Sequence, residues 1–239
     1  MGTEIDERLI CQAEFYNHII QYLDMLREQQ PLRLTQRGNL PRKFCRELCD
    51  MDILEEDRVA FKNRPIIKEE DSYYIHLINL FTQLIGFTKK RHGTISLTKK
   101  CEKYLDKNSA SELYLYLFSG YTRKFNWGYS DRYPESWIIQ GGFGFSIFLL
   151  QKYGDKAREI KFYSDKYLRA FPSAIEEFSG TLYLGSEDEF RRCYYLRVFR
   201  RFLKRFGLIE IEEDPSFISA NHTIIKKELL DQTIRWKIL

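Results

Sequence analysis

Two stretches of the chain carry the same succession of signals, and this succession restricts the fold more than any other feature. "LIGFTKKRHGTISLTKKCEKYL" and "RFGLIEIEEDPSFISANHTIIKKELL" each open on the end of an apolar helix that stops at glycine plus an apolar residue. Two short extended runs about a turn follow, and then a threonine leads into a basic helix. Glycine closes helices because it accepts a left-handed backbone, and a period of two marks a half-buried strand. His92-Gly93 is the predicted hairpin turn of the first copy, and Asp214-Pro215 that of the second. The copies differ in hairpin length and their lysine pairs are offset by two. The pattern therefore admits both a structural repeat and two convergent helix–hairpin–helix units. The earlier "LRLTQRGNLPRKFCREL" matches only the last piece of it.

The remaining segments read mostly as helix. Leu9, Ala13, Tyr16, Ile20 and Leu23 recur at helical spacing over 4–28, and Gln30-Pro31 breaks that run. "LRLT" alternates as a short strand would, and "RKFCRELCDMDIL" resumes helical spacing through Phe44, Leu48 and Met51. Ile75, Ile78, Phe81, Leu84 and Ile85 define a helix ending at Gly86, while Thr98 and Ser109 are helix caps. "RKFNWGYSDRYPE" interrupts the pattern and is the expected main boundary. Helices are predicted over 135–153 and 155–170, and a long one through "EDEFRRCYYLRVFRRFLKRFG" with an apolar ridge at Phe190, Tyr194, Val198, Phe202 and Phe206. "KKELLDQTIRW" closes as a helix. The expected fold is mainly α, a helical protein with two winged-helix-like (helix–β-hairpin–helix) units. An N-terminal amphipathic helix over 1–30 precedes a first unit over 31–126 and a second helical unit over 127–239 that carries the C-terminal hairpin.

Composition bounds the function classes. Hydrophobic residues at 44% and charged residues at 30% fit a globular protein, and 13 Gly with 6 Pro argue against disorder and turn-rich β folds. A net charge of +4 decides nothing between nucleic-acid and protein partners. The longest apolar stretch, "WIIQGGFGFSIFLL", is too short to span a bilayer, so no membrane partner is expected. Cys11, Cys45, Cys49, Cys101 and Cys193 lack a disulfide-framework spacing, and no leader-like segment precedes the first helix. A reducing cytoplasm is the expected compartment, and the sequon at Asn221 reads as accidental. Cys45 and Cys49 stand one helical turn apart, which is half of a zinc site; buried thiols are the simpler reading.

No catalytic constellation stands out. His18, His76, His92 and His222 are far apart and outside any metal-ligand or nucleophile motif. "GGFGFS" at 141–146 lacks a preceding strand and a third glycine, so a close helix crossing explains it better than a phosphate loop. Asp131 and Glu135 form a carboxylate pair in a predicted loop, and an enzyme would need a pocket around Trp127, Asp131 and Glu135. The expectation is a protein without catalytic residues, metal or cofactor.

Binding chemistry has more support. "TKKRHGT" sets Lys89, Lys90, Arg91 and His92 at a hairpin tip, followed by Lys99, Lys100 and Lys103 on the next helix. A wing of this kind meets phosphates, and phosphate neutralisation supplies most nucleic-acid affinity. Lysines also crowd any solvated hairpin, and no Arg/Asn/Gln-rich helix for base reading accompanies them. Arg197, Arg200, Arg201 and Lys204 form a second basic set, predicted to lie on one helix side away from the Phe202 and Phe206 ridge. Acidic residues Glu187, Asp188, Glu189, Glu210, Glu212, Glu213 and Asp214 are near in sequence, which favours internal ion pairing.

In "PLRLTQRGNLPRKF" the run "QRGN" invites a phosphate-nest reading. A helix start explains more: Gly38-Asn39 turns the chain, Asn39 caps and Pro41 suits the first helical turn. "LRLTQRGNLPRKF", "YYLRVFRRFLKRFGLIEIEE" and "HTIIKKELL" resemble segments shared by uncharacterised bacterial and plasmid-borne proteins, in which an LTxxGNLP signature precedes winged-helix-like units. The resemblance covers about a third of the chain and implies an architecture with no established activity. The leading expectation is a non-enzymatic binding module with double-stranded DNA as first candidate partner. The alternative is a protein–protein interaction scaffold.

Overall fold

The computed structural model describes residues 5–50, 68–107, 109–180, 185–212 and 222–236. Met51, Glu213, the Asp214-Pro215 turn and Asn221 lie outside them. The protein is mainly α, with two small three-stranded antiparallel sheets. It divides into unit A, Tyr16–Phe125, and unit B, Met1–Phe15 with Asn126–Leu239. No described helix is long and apolar enough to cross a membrane.

After α1 (Glu7–Ile10), α2 (Glu14–Gln29) leads into unit A. There follow β1 (Leu32–Arg33), α3 (Arg42–Asp50), α4 (Tyr73–Leu84), β2 (Thr88–Arg91), β3 (Thr94–Leu97), α5 (Lys99–Asp106) and α6 (Ala110–Arg123). Side-chain oxygens of Ser72, Thr98 and Ser109 accept the Ile75, Cys101 and Glu112 amides, which fixes where α4, α5 and α6 begin. The β2–β3 turn is two residues long, with φ of 50° at His92 and 72° at Gly93. Positive φ at both positions gives a turn whose twist matches the strands. The core of unit A gathers Tyr22, Phe44, Leu77, Phe81, Phe87, Tyr114 and Tyr121.

Unit B continues with α7 (Trp137–Gly141), α8 (Phe143–Tyr153), β4 (Arg158–Glu159), α9 (Ile160–Ala170) and a 3₁₀ turn at Pro172–Glu177. Then come α10 (Ser186–Tyr194), a π-helical segment Tyr195–Lys204, β5 (Ile209–Glu212), β6 (Thr223–Lys226) and α11 (Glu228–Thr233). Its buried aromatic residues include Trp127, Tyr163, Tyr167, Phe190, Tyr194 and Phe202.

The two units repeat one scheme. Among the described residues each contains the succession helix, short strand, helix, helix, hairpin, helix, and the strand orders β1-β3-β2 and β4-β6-β5 are equivalent. Individual backbone hydrogen bonds recur as well. Leu34 N–H donates to Gly93 O at 2.8 Å, and Ile160 N–H to His222 O at 3.0 Å, each just beyond the short strand. Phe87 N–H to Thr82 O and Leu208 N–H to Leu203 O close the helix-to-hairpin passage at 2.8 and 2.9 Å. Thr98 N–H to Phe87 O and Lys227 N–H to Leu208 O, both 2.9 Å, end the hairpins.

Several helices differ from their sequence expectation for local reasons. The run over 4–28 is two helices, because Phe15 N–H is drawn to Arg205 O (3.1 Å) and Ala13 packs on Gly207. With α2 restarting at Glu14, its buried stripe is Phe15, Ile19, Tyr22, Leu23 and Leu26, not the series through Tyr16 and Ile20. The run over 135–153 is interrupted at Gly142, where a Cβ would lie 2.0 Å from the Tyr167 hydroxyl. That hydroxyl donates to Ile138 O at 2.6 Å, so in "GGFGFS" it is Gly142 that permits a close helix contact, whereas Gly141 has open space around it. Residues Arg158–Glu159, expected in a helix, pair with β6 as a strand.

The long C-terminal helix is α-helical only to Tyr194. Its ridge residues are spaced by four, and an α-helix of 3.6 residues per turn lets such a series drift round its surface. The wider turn of the i→i+5 segment reverses that drift. Phe190, Tyr194, Val198, Phe202 and Phe206 are accordingly all buried.

Gly207 has φ 68° and a Cβ there would lie 3.1 Å from Ala13, whereas Gly93 has φ 72° with open space around it. Gly93→Ala is expected to cost only the left-handed backbone term, about 1–2 kcal/mol, and Gly207→Ala measurably more, as read from urea denaturation midpoints.

Candidate functional site

The strand register decides which hairpin cations face outward in unit A. Ile95 and Leu97 are buried, so their partners Leu32, Lys90 and Thr88 share the inner face. The opposite parity puts Arg33, Thr94 and Arg91 in one row across the three strands, with Lys89 beside Ser96 in the next. Among the described residues of these three strands, the outer face carries three cations and two hydroxyls and no carboxylate. Arg33, Lys89 and Arg91 are exposed, and none of them is ion-paired among the described residues. The sequence reading missed Arg33, because its place beside Thr94 depends on a strand pairing 61 positions away.

The other predicted wing residues are placed differently. Lys90 has inner-face parity and its ammonium donates to Gly38 O at 2.7 Å. His92 is exposed at the turn and accepts from Arg91 Nε at 3.2 Å. Lys99 and Lys103 are exposed on α5. Lys100 sits 4.3 Å over the Tyr116 ring and contacts its hydroxyl, so part of its charge is engaged.

The helix preceding the hairpin, α4, contains no lysine or arginine, and Tyr74, Ile75, Leu77, Ile78, Asn79, Phe81 and Thr82 are buried. It has no basic face to offer a groove.

The second predicted basic set, expected on the helix side away from the Phe202 and Phe206 ridge with internal ion pairing favoured, is ion-paired at Arg197. That side chain is buried, however, 2% exposed, and its partner is Asp131 and not one of the acidic residues near it in sequence. Arg197 Nε and Nη2 donate to Asp131 at 2.7 and 3.1 Å, and Nη2 donates to Pro134 O at 2.8 Å. Asp131 also accepts the Tyr133 amide at 3.0 Å. The π-helical turn brings Arg197 inward, and Ser130 and Arg132, with φ of 58° and 65°, bend the loop around it. Burial is the largest influence and works against the guanidinium's charge, but the hydrogen bonds to Asp131 together with the charges around it outweigh burial, and its pKa ends above the ordinary arginine value. Arg200, Arg201 and Lys204 are half-buried, and Arg201 reaches Tyr129 O at 3.4 Å. Asp131 is thus the carboxylate that holds Arg197, and the recess beside Trp127, Glu135 and Gln140 has room for about one water molecule.

The "LTQRGNLP" stretch forms a turn closed on itself and on a buried carboxylate. Thr35 N–H donates to Asn39 O (2.9 Å), Gly38 N–H to Thr35 O (2.9 Å) and Asn39 N–H to Thr35 Oγ1 (3.1 Å). Leu40 N–H donates to Glu69 Oε2 at 2.7 Å, while His76 Nδ1 and Asn79 Nδ2 meet Glu69 Oε1 at 2.8 and 2.9 Å. Of the amides in "QRGN", those of Gly38 and Asn39 are thus engaged within the turn, which takes two donors from any phosphate nest there. The Asn39 side chain donates to Glu70 at 2.8 Å rather than capping α3. Burial pushes the Glu69 carboxyl up, but the hydrogen bonds from His76, Leu40 and Asn79 hold it below the ordinary value. Burial also pushes the Cys45 thiol to about 12, which keeps it protonated near neutral pH.

No family model matches the chain, no curated protein matches it, and no solved structure matches it.

Because the Glu69 pKa is lower folded than unfolded, its contribution is full above the ordinary glutamate value and is lost as pH falls through the folded value. Glu69→Gln is expected to lower the urea midpoint at pH 7 and to flatten its decline between pH 5 and pH 3. Asp131→Ala leaves a buried guanidinium without its counter-charge and is expected to cost about 3–5 kcal/mol in the same assay.

Proposed function

We propose that the chain is a non-enzymatic binding protein of two winged-helix-like units, and that unit A grips a nucleic-acid phosphate backbone on the outer face of its sheet. The observation that carries this reading is the row Arg33–Thr94–Arg91 with Lys89 beside it, a hydroxyl-bearing cationic face to which the described strand residues add no carboxylate. Cations and hydroxyls are the groups that hold phosphate oxygens. Charge is also unevenly shared: Tyr16–Phe125 holds 19 Lys and Arg against 14 Asp and Glu, a formal +5, and the remaining residues hold 19 against 20. Support for the winged-helix description is the element order with its first-third-second strand order, present in both units. Support for grouping the chain with the LTxxGNLP proteins is that Thr35, Gly38, Asn39 and Leu40 all have roles in one turn.

The contact proposed here is independent of base sequence. A helix that reads bases needs arginine, asparagine or glutamine on a face free to enter the major groove. The apolar, buried α4 lacks such a face, and Arg197 is committed to Asp131. Double-stranded DNA remains the first partner to test, with sequence-tolerant binding.

Fluorescence anisotropy against a random duplex at two or more salt concentrations tests this. Binding is expected to weaken steeply with salt through counterion release. Replacing Arg33, Lys89 and Arg91 together by alanine is expected to reduce the log–log slope by up to about 3. Lys90→Ala, whose ammonium is tied to Gly38 O, is expected to change it little. Absence of binding at low salt, or a slope unmoved by the triple replacement, would refute the reading.

A further inference from the structure

The outer faces of the two sheets correspond residue for residue, and their charges are opposite. In unit B the row equivalent to Arg33–Thr94–Arg91 is Glu159–Thr223–Glu212. The next pair, equivalent to Lys89–Ser96, is Glu210–Ile225. Thr94 and Thr223 occupy the same central position, as do the buried Ile95 and Ile224 beneath them. Glu159, Glu210 and Glu212 are exposed and none is ion-paired among the described residues; Glu212 accepts only a 3.1 Å hydrogen bond from Thr223. Ile225 among them is 37% exposed, an apolar residue left open at the centre of the face.

We infer that the acidic sheet face of unit B binds the cationic sheet face of unit A in a second copy of this chain. Charge complementarity at matched spacing selects that occupant. Strands lie 4.7–4.9 Å apart, so Arg33 and Arg91 flank Thr94 at about 10 Å separation, as Glu159 and Glu212 flank Thr223. Laid row against row, the two faces bring two opposite charges together at once, with Lys89 and Glu210 adding attraction alongside. Acidic face to acidic face or cationic to cationic would be repelled, so the contact joins two different surfaces. Such a heterologous contact builds an open chain of copies, or a ring if its rotation closes. Exposed ion pairs are individually weak, so the association is expected to be reversible, concentration-dependent and strongly screened by salt. The inference does not rest on phosphate binding by unit A, although a nucleic acid on the cationic face would compete with the second copy.

Sedimentation equilibrium of the full chain, across about a hundredfold range of concentration and between about 0.05 M and 0.5 M salt, tests it. At low salt the weight-average mass is expected to rise with concentration, and at high salt to return to that of a single chain. A variant with Arg33→Glu, Lys89→Glu and Arg91→Glu, and a second with Glu159→Lys, Glu210→Lys and Glu212→Lys, are each expected to stay monomeric at low salt. Mixed in equal amounts they are expected to associate again, because one then has two acidic faces and the other two cationic ones. That recovery distinguishes lost complementarity from a damaged fold. If a reversed face prevents folding, the neutral pairs Arg33→Gln with Arg91→Gln, and Glu210→Gln with Glu212→Gln, are each expected to abolish the rise in mass. The Glu210→Gln with Glu212→Gln variant retains Arg33, Lys89 and Arg91 and adds no cation, so its DNA binding reports on the phosphate reading separately. A wild-type mass that stays monomeric at low salt, association that survives in either variant alone, or a mixture that stays monomeric would overturn the inference.

Discussion

The pairing of a two-residue strand with the far side of a hairpin is the constraint on which the rest of each unit depends. Leu32–Arg33 joins β3, and Arg158–Glu159 joins β6. Each junction is extended by one more amide, Leu34 to Gly93 O and Ile160 to His222 O. A strand has a side-chain period of two, so a slip of one residue would exchange its faces. Here the buried Ile95 and Ile224 pin the register, and with it the outward placement of Arg33 and Glu159. Local hydrophobic burial thus sets the electrostatics of a surface it does not touch.

Buried polar groups supply the second level of organisation. Glu69 ties the turn before α3 to α4 through Leu40, His76 and Asn79, and Arg197 ties the π-helical segment to the loop at Asp131 and Pro134. Both charges are satisfied by several partners, as buried charges must be. Their consequence for function is subtractive. The conspicuous basic run "RVFRR" contributes its first arginine to structure, and the suggestive "QRGN" turn spends its Gly38 and Asn39 amides internally. Among the described residues, the outer sheet faces keep exposed charges outside any ion pair, and they are less conspicuous in the sequence.

Local signals were legible in proportion to how local their causes are. Glycine at helix ends, the His92-Gly93 turn, the threonine and serine caps and the alternation in both hairpins each depend on residues within a few positions, and the structure places them accordingly. The break before α2 depends on Gly207 and Arg205, almost two hundred residues on, and no periodicity near Ala13 announces it. The two-residue β1 showed only because "LRLT" continues its alternation, whereas β4 runs straight into α9, which hid it inside an expected helix. The fourfold spacing of the Phe190–Phe206 ridge was the one visible sign of the π-helical turn, and it reads as an α-helix unless the drift is followed. The candidate site was half legible: Lys89 and Arg91 lie on the predicted wing, while Arg33 joins them, and Glu159, Glu210 and Glu212 oppose them, only through register.

The central claim is that both units hold their short strand in the same register, and amide hydrogen exchange at Leu34 and Ile160 tests it most directly. The account predicts slow exchange at both, comparable to the paired amides inside the β2–β3 and β5–β6 hairpins. Fast exchange at either residue, with the hairpin amides still protected, would mean that the third strand is unpaired there and that the outer face described for that unit does not exist.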